Sequence, residues 1–214
     1  MSATAPFPKL GRGLIAILRG LHPNEAIAMG EAIFEAGIEA IEVPLNSPDP
    51  FRSIEFLARS LPASALIGAG TVLTPSNVED LNRAGGRLLV SPNIDPAVMT
   101  RAADFGMVAM PGVLTPTEAF QAISCGASAL KFFPASVIGP KGVAAIKAVL
   151  PADTIVGAVG GVSEKDFADY GRIGVRIFGL GSSLFSPGLD VETVRRRAIA
   201  AVAAWDAVFG NEPD

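Results

Sequence analysis

Eight short apolar segments, alternating with eight amphipathic ones, predict a closed barrel of eight parallel strands ringed by helices, a (β/α)8 fold. Two further observations point the same way. The chain has 214 residues, half of them hydrophobic, which suits one large core. The first strand is followed by no G-x-G-x-x-G turn, which disfavours a doubly wound dinucleotide fold.

The strands are expected at 14–18, 40–45, 65–69, 87–91, 107–110, 129–133, 154–159 and 175–180. Each is apolar and stopped by Gly, Pro, Asn or Ser. The helices are expected at 23–36, 48–60, 75–84, 96–105, 116–124, 140–150, 163–170 and 191–209. Several open on proline, whose missing N–H costs little in a first turn. Thr74, Asp95 and Thr115 precede such prolines and suit N-caps, and Gly37, Gly85 and Gly106 suit the positions just past helix ends. The reading is of one domain, 1–214, with loose ends at 1–9 and 210–214.

Composition narrows the function. Seventeen Lys and Arg against 21 Asp and Glu leave a net charge of −4, with no general attraction for nucleic acid or anionic membrane. One Cys and one His give neither a disulfide framework nor a usual zinc ligand set. No secretory signal or membrane span stands out, so a soluble, cytoplasmic protein is expected. His22 suits a loop or cap, Cys125 an inert apolar position, Arg195–Arg197 a solvated helix face, and Trp205 a packing role.

Strand parity locates the chemistry. Ile41, Val43 and Leu45 share one face and are expected to pack outward under helices, which turns Ala40 and Glu42 inward. Leu130 and Phe132 pack outward likewise, leaving Lys131 and Phe133 inside. Leu14, Ala16 and Leu18 share a face, which leaves Arg19 on the other, at the C-terminal end. Three charged residues thus converge on the mouth where barrel enzymes place their chemistry.

Of five lysines, only Lys131 sits in an apolar strand. Burial and a nearby Arg19 both lower such an amine's pKa, and a partly neutral amine can form a Schiff base with a carbonyl. Glu42 suits proton shuttling beside that imine. A structural ion pair with Lys131 is the other reading of both residues, and a metal ligand a third for Glu42. No second inward carboxylate is seen for a hard metal, so none is expected. Glycine clusters, Gly160–Gly161 and Gly179–Gly181 with Ser182, close the seventh and eighth strands, where these barrels recurrently bind phosphate.

Seven motifs resemble, in order, the class I aldolases of 2-keto-3-deoxy-6-phospho sugar acids. They are Ile15–Gly20, Glu42–Pro48, Gly68–Leu73, Ser91–Ile94, Leu130–Pro134, Val159–Val162 and Gly179–Ser182. The resemblance runs from about residue 13 to 207 and is nearest to the family's galactonate branch. It implies a homotrimeric barrel that uses no metal or other cofactor. It implies Lys131 as the Schiff-base lysine and Glu42 as the general acid and base. It implies Arg19, Thr71, Pro92, Phe133 and Val159 as substrate-pocket residues, with Gly160, Gly161, Gly181 and Ser182 as a phosphate cradle. The expected reaction joins or splits pyruvate and D-glyceraldehyde 3-phosphate. Asn46 and Val159 stand where gluconate-specific members have arginine and threonine, which favours the galactonate epimer. The gluconate epimer, 4-hydroxy-2-oxoglutarate, and a non-catalytic phosphosugar binder are the alternatives.

Overall fold

Proline sets where most helices begin. A computed structural model describes residues 4–210 of the chain. In chain order it runs β1 (Leu14–Ile17), α1 (Pro23–Glu35), β2 (Ala40–Pro44), α2 (Pro50–Ser60), β3 (Leu66–Gly70), α3 (Pro75–Arg83), β4 (Leu88–Val90) and α4 (Pro96–Asp104). It continues through β5 (Val108–Met110), β6 (Gly112–Val113), α5 (Pro116–Ser124), β7 (Leu130–Phe132), α6 (Ala135–Lys147) and β8 (Val156–Val159). A 3₁₀ turn (Glu164–Asp166), α7 (Phe167–Gly171), β9 (Ile177–Leu180) and α8 (Val191–Phe209) complete it.

Helices α1 to α5 all carry proline in the first turn. Thr74, Asp95 and Thr115 cap as expected, each accepting a backbone N–H from the turn it opens. His22 occupies the N-cap position of α1. Gly37, Gly85 and Gly106 take positive φ just past helix ends.

All strand pairings are parallel, in the order β5-β4-β3-β2-β1-β9-β8-β7-β6. Strands β5 and β6 are two parts of one stave. Pro111 separates them because it has no N–H for the ladder, but its carbonyl accepts from Lys131 N at 2.9 Å. Ser128 N reaches Ala109 O at 2.9 Å, so that stave bonds on both sides and the sheet closes. The predicted (β/α)8 barrel is the fold observed.

The apolar residues divide into two layers, as strand parity requires. Leu14, Ala16, Leu18, Ile41, Val43, Leu130 and Phe132 lie between sheet and helices. Ile15, Ile17, Ala40, Leu88, Val108 and Met110 fill the barrel. Phe178 anchors the outer layer at 4.4 Å from Phe167 and 6.1 Å from Phe209, between ring centroids. Trp205 packs at 4.9 Å from Phe209 and donates its indole N–H to Arg176 O.

Four local expectations need correction. Residues 4–9 are not a loose end: Ala5 N bonds to Met107 O, and Phe7 and Leu10 pack against the interior layer. The barrel's N-terminal end exposes apolar side chains, and this segment covers them. Residues 1–3 and 211–214 lie outside the described residues; Gly210 caps α8. Helix α2 starts two residues late because Asp49 is left-handed, at φ 40°. Helix α6 starts at Ala135, breaks at Gly139 (φ 67°, ψ 167°) and resumes at Pro140. The helix expected at 163–170 is a 3₁₀ turn running into α7.

No helix among the described residues is long and apolar enough to cross a membrane.

Candidate active site at the C-terminal mouth of the barrel

Register fixes the two central side chains. Glu42 lies opposite Ile17 on β1 and Gly68 on β3. Lys131 lies opposite Gly112 on β6 and Gly157 on β8. A Cβ on Gly112 would strike the Pro92 backbone, and one on Gly157 the Met110 side chain, so both neighbours of Lys131 are held to glycine by close packing. Both charged residues are buried, Glu42 at 2% exposure and Lys131 at 7%.

Gly70 makes room for the carboxylate. A Cβ there would overlap both Glu42 oxygens, so the Glu42 head lies directly against the Gly70 backbone. Glu42 Oε2 has no hydrogen-bond partner among the described residues. The next residue, Thr71, holds φ 60°. A left-handed threonine is strained, by roughly 1–3 kcal/mol. The strained turn brings Thr71 to the wall of the cavity.

That cavity is about 570 Å³. Glu42, Lys131, Phe133 and Val159 form its inner wall, and Arg19 and Thr71 stand at its side. Gly160, Gly161, Gly181 and Ser182 bring the loops after β8 and β9 to its rim. Of the positions expected from sequence, Pro92 alone is not part of this wall; its carbonyl lies against the Gly112 backbone. Val162, Ser163, Gly179 and Ser183, neighbours in the two glycine clusters, line it too, whereas Ile17 and the loop residues Phe185–Pro187 join the wall without having been expected. Ile17 shares a strand face with Arg19 and was findable by parity. The 185–187 loop has no sequence signal, because tertiary packing sets its course.

Electrostatics ties the pair together. Burial pushes the Glu42 carboxyl up to about 7, although Lys131, Arg19 and the Gly70 backbone all favour its charged form. Burial pulls the Lys131 amine below its ordinary value, against the attraction of Glu42 and with Arg19 adding to the fall. The Lys131 Nζ also lies 4.5 Å from the Phe133 ring centroid. An amine less readily protonated, beside a carboxyl that exchanges protons near neutrality, is the pairing a carbonyl-condensing site needs. Arg19 is exposed on the rim, and its Nη1 donates to Asn46 Oδ1 at 2.7 Å.

The glycine loops are built for close approach. Gly160 and Gly161 hold φ 93° and 71°. A Cβ at Gly160 would come within 2.9 Å of the Phe133 ring, and one at Gly161 within 2.5 Å of Ser136 Oγ. Ser136 N donates to Gly160 O, and Ser183 Oγ to Val162 O, so both loops are fastened to their neighbours. Among the described residues, no three His, Cys, Asp or Glu side chains gather as a metal-ligand group.

This fold and this mouth define a barrel with a buried lysine–glutamate pair, and comparison places it. Residues 10–202 match the family described as KDPG and KHG aldolase, and the chain belongs to that family. Among its relatives is the probable 2-dehydro-3-deoxy-6-phosphogalactonate aldolase of Rhizobium meliloti (strain 1021), 62% identical over 97% of this chain and 98% of that protein. The 2-dehydro-3-deoxy-6-phosphogalactonate aldolase of Escherichia coli (strain K12) is 48% identical over 90% of this chain and 94% of its own. A solved structure described as native KDPGal superposes with a TM-score of 0.92 at 45% identity, covering 97% of this chain and all of that one.

The raised Glu42 carboxyl carries a stability signature. In the folded protein it binds a proton up to about pH 7, and in the unfolded chain only up to its ordinary 4.5. Between those values the folded state holds more protons, so stability falls as pH rises through the window and levels off above it. Glu42→Gln has no such ionisation. Its stability relative to the parent is expected to rise by about 3 kcal/mol across that window, by urea unfolding at about pH 5 and pH 8. A difference that does not change with pH contradicts the assignment.

Proposed function

We propose that this chain is a class I aldolase that cleaves 2-dehydro-3-deoxy-6-phosphogalactonate reversibly to pyruvate and D-glyceraldehyde 3-phosphate. The observation that carries the proposal is the buried Lys131 amine beside Glu42 in a chain of this aldolase family. A structural ion pair would have little reason to open into a 570 Å³ cavity at the mouth of the barrel.

The chemistry follows from the placement. The Lys131 amine attacks the C2 ketone to give a carbinolamine. Glu42 delivers the proton with which the hydroxyl leaves as water, and an iminium remains. The carboxylate then takes the proton of the C4 hydroxyl while the C3–C4 bond breaks. The bonding electrons pass into the iminium and form an enamine, and glyceraldehyde 3-phosphate departs. Protonation at C3 and hydrolysis release pyruvate and restore the amine. Because the iminium accepts the electrons, these steps call for no metal or organic cofactor.

Arg19 holds the C1 carboxylate from the rim, and Thr71 and Phe133 shape the pyruvate end. Pro92 is proposed to bear on that end from the loop after β4. Gly160, Gly161, Gly181 and Ser182 hold the phosphate, where a Cβ on Gly181 would meet only open space. Fixing the two charged ends sets the reacting carbons over Lys131. Val159 presents methyl groups to the sugar hydroxyls, where a threonine would present a hydrogen-bonding group. That difference supports the galactonate epimer over the gluconate one.

Lys131→Ala is expected to abolish pyruvate release from the galactonate substrate, by at least about a thousandfold, in an assay coupled to lactate dehydrogenase. Near-parental turnover would remove the assignment.

The protein is further proposed to act in the cytoplasm, in galactonate catabolism, as a homotrimer. Exposed apolar side chains such as Phe120 and Val137 supply surface for subunit contact. Light scattering is expected to give three times the 22.0 kDa chain mass. A monomer contradicts the trimer without touching the chemistry.

A further inference from the structure

Arg19 poses a problem that the catalytic pair does not. It is exposed, it lies just beyond the end of β1, and a free arginine side chain there would sample many rotamers. The structure holds it from one place. Asn46 Oδ1 accepts from Arg19 Nη1 at 2.7 Å, and the neighbouring Ser47 Oγ accepts from the backbone N–H of Gly20 at 2.9 Å. Ser47 is itself buried, whereas Asn46 is exposed and is not part of the cavity wall. Gly20 sits at φ 86°, and a Cβ there would come within 2.6 Å of Pro187 Cγ, so the turn that carries Arg19 is closed in from the opposite side as well.

We propose that the Asn46–Ser47 pair at the end of β2 is the positioning device for Arg19, and that Asn46 sets the affinity of the site for the substrate carboxylate without touching the substrate. The pair divides the task. Ser47 fixes the backbone on which Arg19 stands, and Asn46 fixes the guanidinium's direction. Asn46 is a neutral acceptor. It takes one N–H of a five-donor group and leaves the full positive charge and the remaining donors for an anion. An aspartate there would orient the same group but neutralise it. The inference rests on the proposed role of Arg19 as the carboxylate holder.

A double-mutant cycle in steady-state kinetics tests it, with parent, Asn46→Ala, Arg19→Ala and the double variant assayed on 2-dehydro-3-deoxy-6-phosphogalactonate. Asn46→Ala is expected to raise KM about fivefold with kcat nearly unchanged, the size of one hydrogen bond to a charged group at an exposed site. In the Arg19→Ala background the same change is expected to have no further effect on KM. Asn46→Asp is expected to raise KM more than Asn46→Ala, because it supplies a competing carboxylate. If Arg19→Ala leaves KM unchanged, the role given to Arg19 is wrong. If Arg19→Ala raises KM but Asn46→Ala does not, or raises it equally in both backgrounds, the positioning role is overturned. Thermal unfolding of each variant separates these outcomes from general loss of fold: a fall in kcat that follows a fall in Tm, with KM unmoved, also counts against the proposal.

Discussion

The burial of Lys131 and Glu42 in one cavity wall, each within the other's electrostatic reach, is the constraint around which the site is arranged. Either charge alone, inside so apolar a wall, would cost several kcal/mol. Together they offset part of that cost, and both groups drift toward neutrality, the amine downward and the carboxyl up to about 7. The neighbouring sequence is chosen to fit. Gly70 yields its Cβ volume to the carboxylate. The same burial that makes the pair costly favours the neutral amine, the form the proposed nucleophile needs.

Much of this was legible in the chain because the period of a strand is two. Ile41, Val43 and Leu130, Phe132 determine where Glu42 and Lys131 must point, and the structure places those four under the helices and their opposite-parity neighbours Ala40 and Phe133 with the interior layer. Proline and cap residues likewise marked where helices begin. What was not legible depended on contacts distant in sequence. The split at Pro111 leaves the stave intact because its carbonyl still serves Lys131. Residues 4–10 look like a tail until the open end of the barrel is there to receive them. The turn of helix before the Gly139–Pro140 break, from Ala135, carries no cap signal of its own, and the 185–187 loop takes its course from what it packs against. Pro92, carried over by resemblance, lies outside the cavity wall, and only geometry could reveal that.

The site also shows how labour is divided over the fold. In the proposed mechanism, strands carry the groups that make and break bonds, since their positions must be held closely. Loops carry the groups proposed to hold the ends of the substrate, and each loop is fastened by a neighbour: Ser136 to Gly160, Ser183 to Val162, Ser47 to Gly20. A rigid inner pair with fastened outer contacts suits a reaction whose two charged ends must stay fixed while its central bond breaks.

The central claim is that the Lys131 amine itself bonds to the substrate carbon. The most direct measurement is intact mass after borohydride reduction in the presence of pyruvate, followed by peptide mapping. The account predicts one added pyruvyl group per chain, on the peptide that contains Lys131, and none in Lys131→Ala. Pyruvate release from the phosphosugar acid with no trapped adduct, or with the adduct on another lysine, would contradict it.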